Sequence, residues 1–218
     1  MPSPRPTILL TGFGPFPGIA ENASALLAAK LGRLAASRFR AHRVVAKVLP
    51  TEWEAAPARL AAHYAREKPR LALHFGVSER AQGFVIETSA RNVRSPTPDA
   101  RGALPSSASI AAGGPERMAA GVPAEAIVAR LTALGLPAHV SDDAGTYLCN
   151  AVLYHALAAA RPAMTGLVHI PALLAAEGGG TSGPAARSLL DWETAVSGGL
   201  EIIRVCLGRP APARLKRL

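Results

Sequence analysis

Cysteine is scarce in this chain, since only Cys149 and Cys206 occur among its 218 residues. Their local settings differ, which argues against the disulfide framework that stabilises many small secreted domains. The low number of cysteines favours a reducing compartment, and we therefore expect the protein in the cytoplasm.

Long hydrophobic runs are also missing, because no apolar stretch approaches the roughly 20 residues that a transmembrane helix needs. The first six residues contain Arg5 and three prolines but not the apolar core of a signal peptide. We therefore predict a soluble protein with no membrane partner. Aromatic residues make up only 5% of the chain, so alanine and small aliphatic side chains must fill most of the core.

Acidic residues are outnumbered, with 15 Asp and Glu against 24 Lys and Arg, and the formal net charge is +9. Such a balance is found in many nucleic-acid-binding proteins. The arginines here are dispersed, however, and only residues 209–218 concentrate them. We predict no nucleic-acid partner and keep a basic, non-catalytic nucleic-acid-binding protein as the weaker alternative.

Apolar periodicity alternates between the strand and the helix type along the chain. It predicts strands at residues 7–10, 42–49, 71–75, 138–141 and 165–170, and helices at residues 22–38, 52–67, 123–134, 147–160 and 189–207. Between them, residues 76–121 are irregular, with one short strand expected at residues 85–87, and residues 172–183 form a glycine-rich loop. The alternation predicts one α/β domain over residues 1–218, with a mostly parallel, twisted central sheet and helices on both faces.

Cys149 follows the turn-forming residues 142–146 and opens an apolar helix pattern. In the first turn of a helix, unpaired backbone N–H groups and the helix dipole favour a thiolate over a thiol. The same N–H groups can stabilise an oxyanion. Position alone favours a small core residue on the apolar face of the helix, so a nucleophile hypothesis depends on partner residues.

His169 and Glu87 are the candidate partners. His169 stands near the carboxyl end of an apolar strand, and the predicted strand before Cys149 ends nearby if the two strands are adjacent and parallel. Glu87 follows an apolar run and can orient an imidazole. The alternatives are a histidine satisfied by backbone groups and a surface glutamate that begins a loop.

Other motifs are weak. The remaining five histidines lack the spacing of a zinc site, and the glycines at residues 178–180 lack the Gly-Lys-Ser/Thr of a phosphate loop. We therefore expect no metal and no cofactor. Phe13 and Phe16 are rare aromatics in a stiff Gly/Pro loop, where they serve either as core residues or as walls of a small apolar pocket.

Three segments together resemble pyroglutamyl peptidase I, also called pyrrolidone-carboxylate peptidase, which is peptidase family C15. They are residues 10–16 with Gly18 and Asn22, residues 141–150 (especially 144–150) with Tyr154, and residues 168–171. Their order and the chain length fit the family, so the resemblance spans nearly all 218 residues.

The resemblance implies removal of an N-terminal pyroglutamyl residue from peptides, without metal or cofactor, by a cytoplasmic homo-oligomer (a tetramer or a dimer). It implies that Cys149 is the nucleophile, His169 its base and Glu87 the group that orients the histidine.

Four further residues match the substrate pocket of the family. Phe13 and Phe16 match the aromatics that hold the lactam ring, and Tyr147 and Leu148 match pocket residues beside the nucleophile.

The chain departs from the pattern of the family in two motifs, at Thr88 in one and at residues 77–80 in the other. Thr88 stands where the motif Glu-Arg-x-Ala-x-Asn has its arginine, and Val77 stands where Gly-Gln-Ala-Gly-Gly has its glutamine. These departures motivate a second hypothesis, a diverged hydrolase of the same fold that acts on another small N-acyl or cyclic amide group.

Overall fold

The computed structural model describes residues 5–159, 164–172, 174 and 190–208 of the chain. The strands are β1 Thr7–Phe13, β2 Arg43–Leu49, β3 Leu71–Ser78, β4 Phe84–Glu87, β5 Ser89–Arg91, β6 Arg117–Ala119, β7 Ala138–Ser141 and β8 Met164–Pro171. The helices are α1 Ala23–Arg38, α2 Ala55–Glu67, α3 Ala124–Ala133, α4 Leu148–Ala159 and α5 Trp192–Cys206.

Six strands form the main sheet in the order β2-β1-β3-β8-β4-β7. All neighbouring pairs are parallel except β4 and β8, which run antiparallel. The predicted α/β class with a mostly parallel sheet is therefore confirmed. The remaining strands, β5 and β6, pair as a separate antiparallel ribbon within the irregular segment, and this ribbon was not predicted.

The strand order corrects one expectation. We expected the strand before Cys149 and the strand that holds His169 to be adjacent and parallel, and this is wrong. β4 lies between β7 and β8, and β7 runs antiparallel to β8 because it is parallel to β4. The physical reason is that the chain reverses after β3, so β4 returns along β8 in the opposite direction.

Helices cover both faces of the sheet, since alternate residues of the central strands enter two separate cores. The first core contains residues of α1, α3 and α5 packed on Leu73, Phe75 and Val168. The second contains residues of α2 and α4 packed on Ala72 and Leu167. Side chains of β3, β4 and β8 that face α4 therefore share one side of the sheet.

The predicted helices and strands differ from the structure mainly at their ends. β1 and β3 each continue three residues beyond the prediction, and the last helix is described from Trp192 onward. The predicted glycine-rich loop lies almost wholly outside the described residues, as does the basic run 209–218. Of the helices that the structure describes, none has the length and apolar character to cross a membrane.

Candidate active site

His169 and Glu87 meet on the sheet face that carries α4. Val85 of β4 pairs with His169 of β8, so Glu87, two residues further along β4, is a diagonal neighbour of the histidine on the same face. The Nδ1 atom of His169 lies 2.8 Å from Oε1 of Glu87. Glu87 is 1% exposed and His169 is 8% exposed. Glu87 is therefore a buried carboxylate, and the alternative of a surface glutamate that begins a loop is wrong.

Cys149 lies in the first turn of α4, as predicted, and its side chain forms a hydrogen bond with the ring of His169. Gly76 of β3 marks the point where the two side chains converge. A Cβ atom built on Gly76 would lie 2.7 Å from Sγ of Cys149 and 3.2 Å from Nε2 of His169. Any side chain at this position would therefore occupy the space of the cysteine–histidine contact.

Gly76 is a site residue that sequence reasoning missed. A glycine inside an apolar strand is a known sign of close approach by another group. That signal is present at residues 71–78, where Gly76 stands within an otherwise mostly apolar strand.

Burial and the neighbours of His169 shift its pKa in opposite directions. Burial alone lowers the pKa of His169, but the charge of Cys149 and its hydrogen bond to the ring raise it, and Glu87 raises it further. The net effect raises the pKa to about 10. The effects of the two neighbours of the ring thus outweigh the effect of its burial.

Asn150 fixes the turn that carries Cys149. Its side chain is fully buried, accepts the N–H of Arg91 at 2.8 Å and donates to the carbonyls of Arg91 and Val93 at 2.8 and 3.0 Å. The first turn of α4 is therefore attached to β5 and the residues after it. This contact explains how Cys149 reaches His169 although β7 and β8 are not neighbours.

A small pocket adjoins the sulfur. It has a volume of about 40 Å³ and is lined by Phe13, Phe16, Asn22, Thr51, Val77, Tyr147, Leu148 and Cys149. All four residues that match the substrate pocket of the family thus line this pocket beside the cysteine. Tyr147 is fixed there by a hydrogen bond from its hydroxyl to the Pro98 carbonyl (3.0 Å) and by edge-on packing against Trp53.

A larger, more open cavity lies on the other side of Cys149 and His169. Its volume is about 630 Å³, and its walls include the charged or titratable side chains of Glu79, Arg80, Arg91, His139 and Asp143. The two cavities share Val77, Tyr147 and Cys149, so the sulfur lies at their junction.

The two departures from the motif have different surroundings. Val77 lines both cavities. Thr88 instead donates from its hydroxyl to the carbonyl of Ser141 at 2.9 Å and lines neither cavity. Of these two residues, only Val77 therefore touches the space that a substrate would occupy.

The remaining candidates lie elsewhere. Cys206 is buried on α5, in the first core, and burial raises the pKa of its thiol to about 12. His74 is buried beneath α2, where its ring contacts Thr11 and Tyr64. Within the described ranges, no group of three or more His, Cys, Asp or Glu side chains is placed to hold a metal ion.

Comparison with known proteins identifies close relatives of this chain. The sequence model of the pyroglutamyl peptidase family matches residues 6–200. The pyrrolidone-carboxylate peptidase of Gloeobacter violaceus is 36% identical over 170 residues, covering 76% of this chain and 82% of the relative. The pyroglutamyl-peptidase 1 of Rattus norvegicus is 31% identical over 175 residues, covering 79% and 82%.

A solved structure agrees over almost the whole chain. The crystal structure of pyroglutamyl peptidase I from Bacillus amyloliquefaciens superposes with a TM-score of 0.82 at 25% identity. The match covers 97% of this chain and 100% of that one.

Proposed function

This chain belongs to the pyroglutamyl peptidase family, and from that premise we propose that it removes an N-terminal pyroglutamyl residue from peptides. Members of this family are peptidases and hence hydrolases. One observation carries the proposal: the imidazole of His169 lies between the sulfur of Cys149 and the carboxylate of Glu87, on one face of the sheet.

Acylation requires Cys149 as the thiolate and His169 in its protonated form. The thiolate of Cys149 attacks the carbonyl carbon of the pyroglutamyl residue, and a carbon–sulfur bond forms. The backbone N–H groups in the first turn of α4 stabilise the negative oxygen of the tetrahedral intermediate. As the carbon–nitrogen bond breaks, His169 gives its proton to the leaving amine, and a thioester remains on the enzyme.

Deacylation runs through the same histidine. Neutral His169 takes a proton from a water molecule, whose oxygen attacks the thioester carbonyl. The carbon–sulfur bond breaks, pyroglutamate leaves, and thiolate and imidazolium are restored. Glu87 accepts the hydrogen bond from Nδ1 throughout, so that Nε2 always faces the sulfur.

The two cavities divide the substrate between them. The small pocket takes the acyl ring, because it is mostly apolar and directly beside the sulfur. A neutral lactam can enter it, whereas the charges of a free N-terminal glutamate would be desolvated without a partner. The large, charged cavity takes the leaving peptide, which extends toward solvent.

Hydrolysis of pyroglutamyl-2-naphthylamide tests the proposal. We expect turnover by the wild-type chain, loss of turnover in Cys149→Ala and after iodoacetamide treatment, and near-normal turnover in Cys206→Ala. The second cysteine is a matched control, because its thiol is buried on the opposite face of the sheet. Retained turnover in Cys149→Ala would refute the nucleophile assignment.

The second hypothesis, hydrolysis of another small N-acyl or cyclic amide, is favoured by Val77 in the wall of the small pocket. A panel of N-blocked aminoacyl reporters distinguishes it, and strict preference for pyroglutamyl would exclude it. Membership in a peptidase family favours an enzyme over the non-catalytic nucleic-acid-binding alternative. The cytoplasmic location and the homotetramer or homodimer remain predictions.

A further inference from the structure

β2 forms one edge of the main sheet, since β1 is its only neighbouring strand in the described part of the chain. Two hydrogen bonds show which of its backbone groups face β1. The N–H of Arg43 donates to the Pro6 carbonyl at 2.9 Å, and the Leu49 carbonyl accepts the N–H of Gly14 at 2.8 Å. Because backbone groups of successive strand residues point to opposite sides, the alternate residues direct their N–H and C=O groups outward. These are Val44, Ala46 and Val48.

The two faces of β2 differ in chemistry. Val44 packs against the first core, with α1, and Val45 packs against the second core, with α2. Side chains alternate along a strand, so Val48 lies on the α1 side, where it is 53% exposed. Arg43 and Lys47 lie on the α2 side by the same alternation. The outer edge of β2 is therefore apolar toward α1 and basic toward α2.

Three side chains of α2 extend the basic side of this edge. Arg59, His63 and Arg66 share one side of the helix, because residues three and four positions apart are neighbours on a helix. Partial burial and the positive charges of Lys47, Arg66 and Arg59 lower the pKa of His63, and Glu67 alone raises it. Lys47 of the strand and these three side chains of the helix thus lie close together, and we call them the basic patch.

The acidic side chains near the basic patch are already paired. Glu67 is buried and accepts hydrogen bonds from Arg43 and from Arg66. Glu52 and Glu54 lie before the first turn of α2, and each pairs with an arginine outside the patch. The surface beside the outer edge of β2 therefore carries an excess of positive charge.

We propose that the outer edge of β2 and the basic patch bind an extended peptide segment in which acidic and apolar side chains alternate. The segment adds to the sheet as a further strand through the outward backbone groups of β2. Its acidic side chains then face the basic patch, and its apolar side chains lie beside Val48 on the other face. This binding is independent of the proposed function, because β2 contains none of the candidate catalytic residues.

Charge distinguishes an acidic partner from a second copy of this chain. Antiparallel pairing of two copies through β2 would place both basic patches on the same face of the joined sheet, where like charges repel. Lysine on an edge strand can also serve only to prevent such self-association. The additional cations on α2 lie beside the strand and not on it, which favours an acidic partner over this purely protective role.

Fluorescence anisotropy with a labelled peptide, Glu-Val-Glu-Val-Glu-Val-Glu, tests the proposal. A peptide of the same composition without alternation, Glu-Glu-Val-Val-Val-Glu-Glu, is the matched control. We expect the alternating peptide to bind at least about tenfold more tightly, because only its side chains fit both faces of the edge. Equal affinities, or no binding of either peptide, would overturn the proposal. Displacement of the alternating peptide by an equal concentration of oligothymidylate would also overturn it and would assign the surface to nucleic acid.

Two N-methylated forms of the alternating peptide test the backbone contacts without changing the protein. Methyl groups on the valine nitrogens block one edge of the added strand, and methyl groups on the glutamate nitrogens block the other edge. We expect one form to lose at least about tenfold in affinity and the other to bind like the parent peptide, because only one edge of a strand can face β2. Equal binding of both forms, or loss of both, would overturn strand addition.

Lys47→Glu reverses a charge of the basic patch and should weaken binding of the alternating peptide by at least about tenfold. Arg33→Glu makes the same change at an exposed position on α1, on the other face of the sheet, and should leave the affinity unchanged. Thermal unfolding shows whether each variant is folded, and Arg59→Glu replaces Lys47→Glu if the latter is not. Equal affinities of the wild type and the folded patch variant would overturn the role of the basic patch.

Discussion

Glu87 accepts a 2.8 Å hydrogen bond from Nδ1 of His169 although 82 residues separate them, and both side chains are almost fully buried. The bond fixes which ring nitrogen faces Cys149. It also adds to the effect of Cys149 in raising the pKa of His169. One carboxylate thus controls both the orientation and the protonation of the imidazole.

Replacing Glu87 by Gln should lower kcat by about 10²- to 10⁴-fold, because an amide can donate to Nδ1 and so favour the wrong tautomer. Since Glu87 raises the pKa of His169, the alkaline limb of the kcat/KM profile should also move to lower pH. Steady-state kinetics of pyroglutamyl-naphthylamide between pH 6 and pH 11 measures both changes.

Glu201→Gln is the matched control for this substitution. Glu201 is also about 2% exposed and accepts hydrogen bonds from Arg130 (3.0 Å) and Arg204 (3.1 Å), but it lies on α5 in contact with the other face of the sheet. We expect a lower Tm and an unchanged kcat. Equal losses of kcat in the two variants would mean that Glu87 acts only through stability.

Gly76→Ala should reduce kcat/KM by at least about 100-fold, since a 1 Å misplacement of reacting groups costs about that much. The new Cβ would lie 2.7 Å from Sγ of Cys149 and 3.0 Å from Cδ2 of His169, so one side chain must move. Gly121→Ala is the control, because its Cβ would meet only ordinary contacts, the nearest at 3.5 Å. Iodoacetamide labelling rates of Cys149 provide a second measurement, and full activity in Gly76→Ala would contradict this geometry.

The alternation of strands and helices was predictable, because apolar residues recur every two residues in a strand and every 3.6 residues in a helix, and a short stretch of sequence shows either period. The pairing of the strands was not. β4 has only four residues, and its antiparallel course beside β8 depends on a reversal after β3 that has no clear local signal. The sequence therefore identified Cys149 and His169 as partners through an incorrect strand arrangement.

Contacts over long sequence distances also lay beyond the sequence analysis. The burial of Glu87 depends on its diagonal position opposite His169, which only the register of β4 and β8 defines. The different surroundings of Val77 and Thr88 have the same origin, since one position lines the cavities and the other bonds to the end of β7. The effect of a departure from the family motif can be judged only when the residues that contact it in the structure are known.

Asn150→Ala should lower the unfolding free energy by about 1–3 kcal/mol, because it leaves backbone groups of Arg91 and Val93 without partners. It should also lower kcat, since the turn that carries Cys149 loses its attachment to β5. Chemical denaturation and kinetics of the folded fraction measure the two effects separately.

Asn92→Ala is the corresponding control, because Asn92 lies in the same segment but makes its similar set of three bonds to the backbone of Ala111 and Gly114 and not to α4. We expect a comparable loss of stability with little change in kcat. If Asn150→Ala retained the kcat of the wild type, the proposed anchoring of Cys149 would be wrong.

His74 should make the fold sensitive to acid. Its fully buried ring lies 2.7 Å from the hydroxyl oxygen of Thr11 and 3.2 Å from that of Tyr64, and burial lowers the pKa of His74 from 6.5 to about 4. The unfolded chain therefore binds a proton near pH 6.5 that the folded chain binds only near pH 4. The contribution of His74 to the unfolding free energy is fully present above pH 6.5. As the pH falls toward 4, protonation of the unfolded chain lowers the unfolding free energy by about 3 kcal/mol.

Urea unfolding of wild type and His74→Gln at pH 7 and pH 4.5 measures this contribution. The variant should lose less unfolding free energy between the two pH values, because its side chain at position 74 does not titrate. Tyr64→Phe removes one partner of the ring but keeps the buried imidazole, so its acid-induced loss should match that of the wild type. Of the two variants, only His74→Gln removes the proton-binding site. If His74→Gln and the wild type lost the same unfolding free energy between pH 7 and pH 4.5, groups other than His74 would govern the acid sensitivity.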